Sequence, residues 1–148
     1  MNADHADGTN RRFHHTETSA GTPAAVWALW TDVGSWHRWD QGLKGASLDG
    51  APAVGAKGAL VPRSGPRTTF EITELRHGLG YTFVTRLPGA RLHVRRELLD
   101  GPVTTFCHTV WFQGPLSGVW ARLSGPGFRR QLPPTMRRLA ELAAQPAA

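Results

Sequence analysis

The sequence predicts an α+β fold in which a curved antiparallel β-sheet wraps around one long C-terminal α-helix, with two short helices after the first strand. Three observations carry this. Strand-length segments follow one another through the middle of the chain, joined by turns of hairpin length. After Gly114-Pro115 the hydrophobic period changes from two to about three and a half, as a helix requires. Near the front, Thr22-Pro23 opens a Trp-rich helical segment. An antiparallel sheet has one apolar face to cover, and the single long amphipathic helix is its natural cover.

The elements follow in order. Arg11–Ala20 is Thr-rich and reads as the first strand. Thr22 caps a helix that Pro23 pre-shapes, and Gly34-Ser35 is expected to break it before a second short turn carrying Trp36, His37, Trp39 and Asp40. Lys44–Leu48 is a second strand, and Gly50–Gly58 is a Gly/Pro/Ala-rich connection. Strands are then expected at Gly58–Val61, Thr68–Arg76, Leu79–Leu87, Arg91–Leu99 and Val103–Phe112. The last helix places Leu116, Val119, Trp120 and Leu123, then Phe128, Leu132, Met136, Leu139 and Leu142, on one face. Gly125-Pro-Gly127 and Pro133-Pro134 predict that it is bent or in two pieces. Residues 1–10 read as a disordered polar head, 11–144 as one domain and 145–148 as a disordered tail.

Composition narrows the function. No apolar run approaches the ~18 residues of a membrane span, and the head lacks the layout of a secretory signal, so a cytoplasmic protein without a membrane partner is expected. Cys107 is the only cysteine, so no internal disulfide can form, and no basic helix start adjoins it to activate the thiol. The net charge of +6 rests on fifteen Arg against two Lys, scattered along the chain. No nucleic-acid-binding signature accompanies them, and nucleic acid is not an expected partner. His14 and His15 point to opposite faces of a strand, and no metal-ligand spacing, phosphate loop, dinucleotide motif or Gly-x-Ser-x-Gly elbow occurs, so neither metal nor cofactor is expected.

Two motifs carry a resemblance. The first, Thr22-Pro-Ala-Ala-Val-Trp-Ala-Leu-Trp-Thr-Asp-Val-Gly-Ser-Trp-His-Arg-Trp-Asp40, packs four tryptophans into one short segment; the second is Thr104-Thr-Phe-Cys-His-Thr-Val-Trp-Phe-Gln-Gly-Pro-Leu116. In this order and spacing they resemble the polyketide cyclase/dehydrase family of the START-like, helix-grip (SRPBCC) superfamily, over about Arg11 to Ala144. The resemblance implies an internal cavity between sheet and helix, with its mouth near the two short helices. It also implies a cofactor-free protein that holds a hydrophobic, oxygen-bearing ligand, aromatic or polyketide-like, and, if it is an enzyme, an activity that cyclises that ligand by aldol-type condensation or dehydrates it. The rival expectation is a carrier or sensor of a lipid or other hydrophobic ligand, without chemistry.

Facing within the strands selects candidate residues. Phe106, His108, Val110 and Phe112 form the more apolar face of the last strand, which turns His108 inward as a candidate general acid or base. The competing role is a core histidine satisfied by a threonine or a carbonyl. Leu92, Val94, Arg96 and Leu98 aim Arg96 inward, where it needs Glu71, Glu74 or a ligand oxygen. A bulge would instead turn His93 inward. Tyr81 shares a face with Leu79, Phe83 and Thr85 and offers its hydroxyl to the interior or to the sheet rim. His108, Tyr81 and Arg96 are therefore the catalytic candidates, and Trp39, Phe83, Phe106, Val110, Phe112 and Trp120 the ligand-binding ones. Arg122, Arg129, Arg130, Arg137 and Arg138 recur on the last helix away from its apolar stripe. They form a solvated face or a dock for an acidic carrier protein. Either a monomer or a homodimer fits.

Overall fold

Seven strands, two helices and one 3₁₀-helix make up the computed structural model, which describes residues 12–146. The expected head 1–10, Arg11 and the last two residues of the tail lie outside the described residues. Strand β1 (Arg12–Ser19) leads into helix α1 (Pro23–Thr31), where Thr22 Oγ1 accepts the Ala25 N–H at 3.0 Å. The break comes earlier than Gly34-Ser35. The Asp32 N–H closes the last turn of α1 on the Ala28 carbonyl, and the Ser35 N–H and hydroxyl both donate to the Asp32 carbonyl at 2.9 Å. A new turn therefore starts at once, and Gly34-Ser35 lie inside the 3₁₀-helix Val33–Arg38.

The remaining strands are β2 (Leu43–Leu48), β3 (Lys57–Pro62), β4 (Thr68–Arg76), β5 (Gly80–Leu87), β6 (Ala90–Leu99) and β7 (Thr104–Gln113). Every neighbouring pair is antiparallel, and the sheet order is β1-β7-β6-β5-β4-β3-β2. The hairpin turns set this meander, while β1 closes onto β7 to complete the sheet. Register shifts at Leu43/Gly45 and Ile72/Glu74 add local bend where the sheet must curve.

Helix α2 (Ser117–Ala144) lies in the grip of the sheet, and two expectations about it are corrected. It is one continuous helix through Pro126, Pro133 and Pro134. Those prolines remove donors to the carbonyls of Arg122, Arg129 and Arg130, all of them exposed residues, where water can substitute. Burial of Leu132, Met136, Leu139 and Leu142 on the other side holds the helix together. The apolar stripe is also misplaced in its first half. Leu116, Val119 and Leu123 face solvent, and Ser117, Ala121 and Gly125 are the buried row. Small residues let the backbone sit close to the sheet: a Cβ on Gly125 would overlap the Phe13 ring. Further along, the buried Ser19 hydroxyl donates to the Ala140 carbonyl at 2.8 Å, and Gly21 leaves no room for a Cβ beside the Ala143 carbonyl. Strand β1 and the turn after it thus pin the last turns of α2.

Candidate functional site

Helix α1 and strands β5, β6 and β7 converge on Trp30, which is fully buried. Its indole Nε1–H donates to His108 Nε2 at 3.0 Å. Its carbonyl accepts the Tyr81 hydroxyl at 2.7 Å and the Trp36 Nε1–H at 3.0 Å. Tyr81 Oη in turn accepts from Arg96 Nη1 at 2.8 Å. The three catalytic candidates therefore lie in one chain of hydrogen bonds, Arg96–Tyr81–Trp30–His108. Trp30, the residue that joins them, was legible only as part of a Trp-rich helix. Its Nε1–H could have been sought a partner for, because a buried indole donor needs one.

Unshifted pairing of β6 with both neighbours turns Arg96 inward and sets His93 on the opposite face. There His93 stacks on Trp111 at 4.9 Å, with Arg12 and Arg95 also over that indole, which explains why the outer face of β7 is buried too. Arg96 is only 5% exposed. Its guanidinium lies 4.3 Å from the Trp36 ring, 4.8 Å from Trp39 and 5.2 Å from Phe83. Neither Glu71 nor Glu74 reaches it; Glu74 pairs with Arg95 at 3.5 Å. Among the described residues no carboxylate pairs with Arg96. Arg96 Nε and Trp39 Nε1 are both buried and meet no protein acceptor. A guanidinium cannot discharge itself, so a cation held by rings and one hydroxyl keeps unused donor capacity.

Electrostatics separate the roles. Burial, then the Arg96 charge and His15, hold the His108 imidazole well below the ordinary histidine range. It is neutral at physiological pH, and because Nε2 accepts from Trp30 its proton sits on Nδ1. Burial raises the Tyr81 hydroxyl, with Arg96 pulling the other way, so the phenol stays protonated and donates to Trp30. Burial also raises Asp40, opposed by the Gly42 N–H it accepts at 2.9 Å and by Arg96. The Arg96 charge acts on Asp40 from beyond ion-pair distance, a relation that strand alternation does not reveal because Asp40 follows a 3₁₀-helix.

The ligand-binding candidates divide. Trp39, Phe83 and Phe106 surround the Arg96–His108 region, with Trp39 6.0 Å and Phe106 5.8 Å from the His108 ring, and Val110 is buried beside them in the core. Phe112 packs on Phe128 at 6.1 Å, and Trp120 donates to the Pro88 carbonyl at 2.8 Å, so these two seal the sheet near the β5–β6 turn. Trp36 and Trp39 are core residues under Arg96. The apolar pocket between sheet and α1 is lined by Trp30, Trp36, Phe70, Ile72, Tyr81 and Phe83 and contracts to about 10 Å³, room for one water. Aromatic side chains line this part of the internal cavity that the resemblance implied and leave it narrow. Cys107 is buried, and among the described residues no cluster of three metal-ligating side chains occurs.

The family profile described as polyketide cyclase / dehydrase and lipid transport matches residues 10–145. The chain belongs to this family. Its sheet-and-helix architecture with an apolar pocket is that of a small-molecule-binding protein of the helix-grip superfamily. Solved structures share the fold at low identity. A protein from Mesorhizobium loti is 17% identical, with a TM-score of 0.75 over 93% of this chain and 100% of that one. A truncated norcoclaurine synthase from Thalictrum flavum is 12% identical, with a TM-score of 0.64 over 93% and 95%. The di-domain ARO/CYC StfQ of the steffimycin biosynthetic pathway is 9% identical, with a TM-score of 0.68 over 95% of this chain and 53% of that one. No protein in the curated comparison matches this chain.

Proposed function

We propose that this member of the polyketide cyclase/dehydrase and lipid transport family binds a hydrophobic ligand, aromatic or polyketide-like, through an oxygen that carries negative charge. The observation that carries the reading is the buried Arg96 without a carboxylate, beside the unpaired Nε1–H of Trp39. A carboxylate, phenolate or enolate oxygen would satisfy both donors while its rings pack on Trp36, Trp39 and Phe83. The apolar pocket of about 10 Å³ lies next to this site and is lined by Trp36, Tyr81 and Phe83 but not by Arg96 or Trp39, so a ligand that reaches Arg96 must displace aromatic side chains and its binding is coupled to a conformational shift.

The hydrogen bonds favour binding over proton transfer. Trp30 occupies the lone-pair nitrogen of His108, and Tyr81 already gives its proton to the Trp30 carbonyl. If the bound molecule reacts, the chemistry is aldol-type cyclisation or dehydration in which Arg96 steadies an enolate and the pocket folds the chain. His108 and Tyr81 then act as positioning residues. The non-catalytic carrier or sensor is the second reading, favoured by that same occupation of His108 and Tyr81.

Native mass spectrometry after exposure to aromatic polyketides, sterols and fatty acids tests this. Stoichiometric retention of an acidic or phenolic aromatic compound, lost in Arg96→Met, is the expected result. Retention of neutral sterols alone, unchanged in that variant, would remove Arg96 from the account. Turnover of the retained compound would select the enzyme, and its unchanged release the carrier.

A further inference from the structure

Leu116, just before α2, and the first half of α2 form an apolar ridge. Leu116, Val119 and Leu123 recur about one helical turn apart and are 45%, 52% and 70% exposed. Single exposed apolar residues are ordinary; here three stand in a row and continue directly into a line of unpaired arginines. Stepping on from Leu123 by seven residues at a time gives Arg130 and then Arg137, both exposed, with exposed Arg122 beside the ridge. Two other arginines of this helix are engaged: Arg129 lies over the Phe13 ring, and Arg138 reaches Glu141 at 4.0 Å. Arg122, Arg130 and Arg137 pair with no carboxylate among the described residues.

Charge and shape select the occupant. A second copy packed antiparallel about a twofold on the ridge would cover Leu116, Val119 and Leu123 but leave Arg130 and Arg137, about 10 and 20 Å beyond Leu123, without an acidic partner. Three apolar side chains along roughly 10 Å of helix are too narrow to centre a protein interface of about 800 Å² per partner. A lipid surface needs no matching pocket: the apolar ridge enters the headgroup boundary and the arginines meet anionic headgroups. We propose that this ridge docks the protein peripherally on an anionic bilayer, in place of the expectation of no membrane partner. None of the described helices is long and apolar enough to cross a membrane, so the contact is interfacial.

The test is flotation of the full chain with phosphatidylglycerol/phosphatidylcholine vesicles and with phosphatidylcholine alone. The expected result is binding to the anionic vesicles only. It weakens with salt and falls at least ~10-fold in Arg122→Glu/Arg130→Glu and in Val119→Ser/Leu123→Ser. These positions are exposed, and an unchanged near-UV circular dichroism spectrum verifies the fold of each variant. Absence of binding, binding indifferent to lipid charge, or loss in the arginine pair but not the apolar pair would overturn the proposal. So would capture by polyglutamate combined with indifference to vesicles, which would hand the ridge to an acidic protein.

Discussion

Replacing Arg96 by Met asks whether the cation serves the fold or a ligand. The substitution removes the 2.8 Å bond to Tyr81, worth about 1.5–3 kcal/mol for a charged donor. It also removes the contacts with Trp36 and Trp39 at 4.3 and 4.8 Å, about 2 kcal/mol together. Against this stands the cost of holding an ion in an apolar interior, several kcal/mol after relaxation. Met follows the guanidinium stem and packs on the same rings. Tyr81 keeps its bond to the Trp30 carbonyl. The expected outcome in urea unfolding is stability unchanged or raised by ~1–2 kcal/mol. Tyr81→Phe has the opposite sign, because it strands the buried cation, and costs about 2–3 kcal/mol. In the Arg96→Met background the same Tyr81 change costs only about 1 kcal/mol, since the Trp30 carbonyl still accepts from Trp36. A loss above ~3 kcal/mol in Arg96→Met would refute the reasoning and make the cation a structural brace.

Two further outcomes follow from the same geometry. His108 is buried neutral, so the unfolded chain binds a proton that the folded one refuses; its contribution to stability is full above about pH 6.5 and declines as pH falls through that value, by at most ~1.4 kcal/mol per unit. Asp40, shifted upward, contributes the opposite slope at lower pH, and His93, which burial and Arg91 also lower, contributes a decline of the same sign as His108; the comparison is therefore with His108→Asn, whose urea-unfolding profile should lose the larger part of the acid-side decline and keep the His93 part, and identical profiles would contradict the assignment. Gly21→Ala drives a Cβ into the Ala143 backbone and should cost about 2 kcal/mol or more by thermal unfolding, whereas a neutral result would show that the end of α2 is free to move.

Alternation and turn chemistry made the strands legible: the expected ends of β4 at Thr68 and Arg76 are the observed ones, and the other strands differ by one residue at one or both of their described ends. The inward aim of His108 and Arg96 followed from the same rule, because β6 pairs with both neighbours without a shift. What escaped the sequence depends on volume and distance. In α2 the counting of apolar residues chose Leu116, Val119 and Leu123, but close approach to Phe13 chose Ser117, Ala121 and Gly125. Three prolines look like a break, yet their missing bonds fall at exposed residues. The Trp30 hub joins residues 78 and 51 positions away in sequence, and no local pattern encodes such a junction. The contracted pocket is likewise a sum of packed rings rather than a motif.

The most direct test of the central claim is an NMR titration that follows the Arg96 Nε–H and Trp39 Nε1–H resonances while a hydroxylated anthraquinone carboxylic acid is added. The account predicts that both resonances shift together and saturate with binding, as each donor gains an oxygen acceptor. Saturable binding that leaves both unmoved would contradict it and place the ligand away from Arg96.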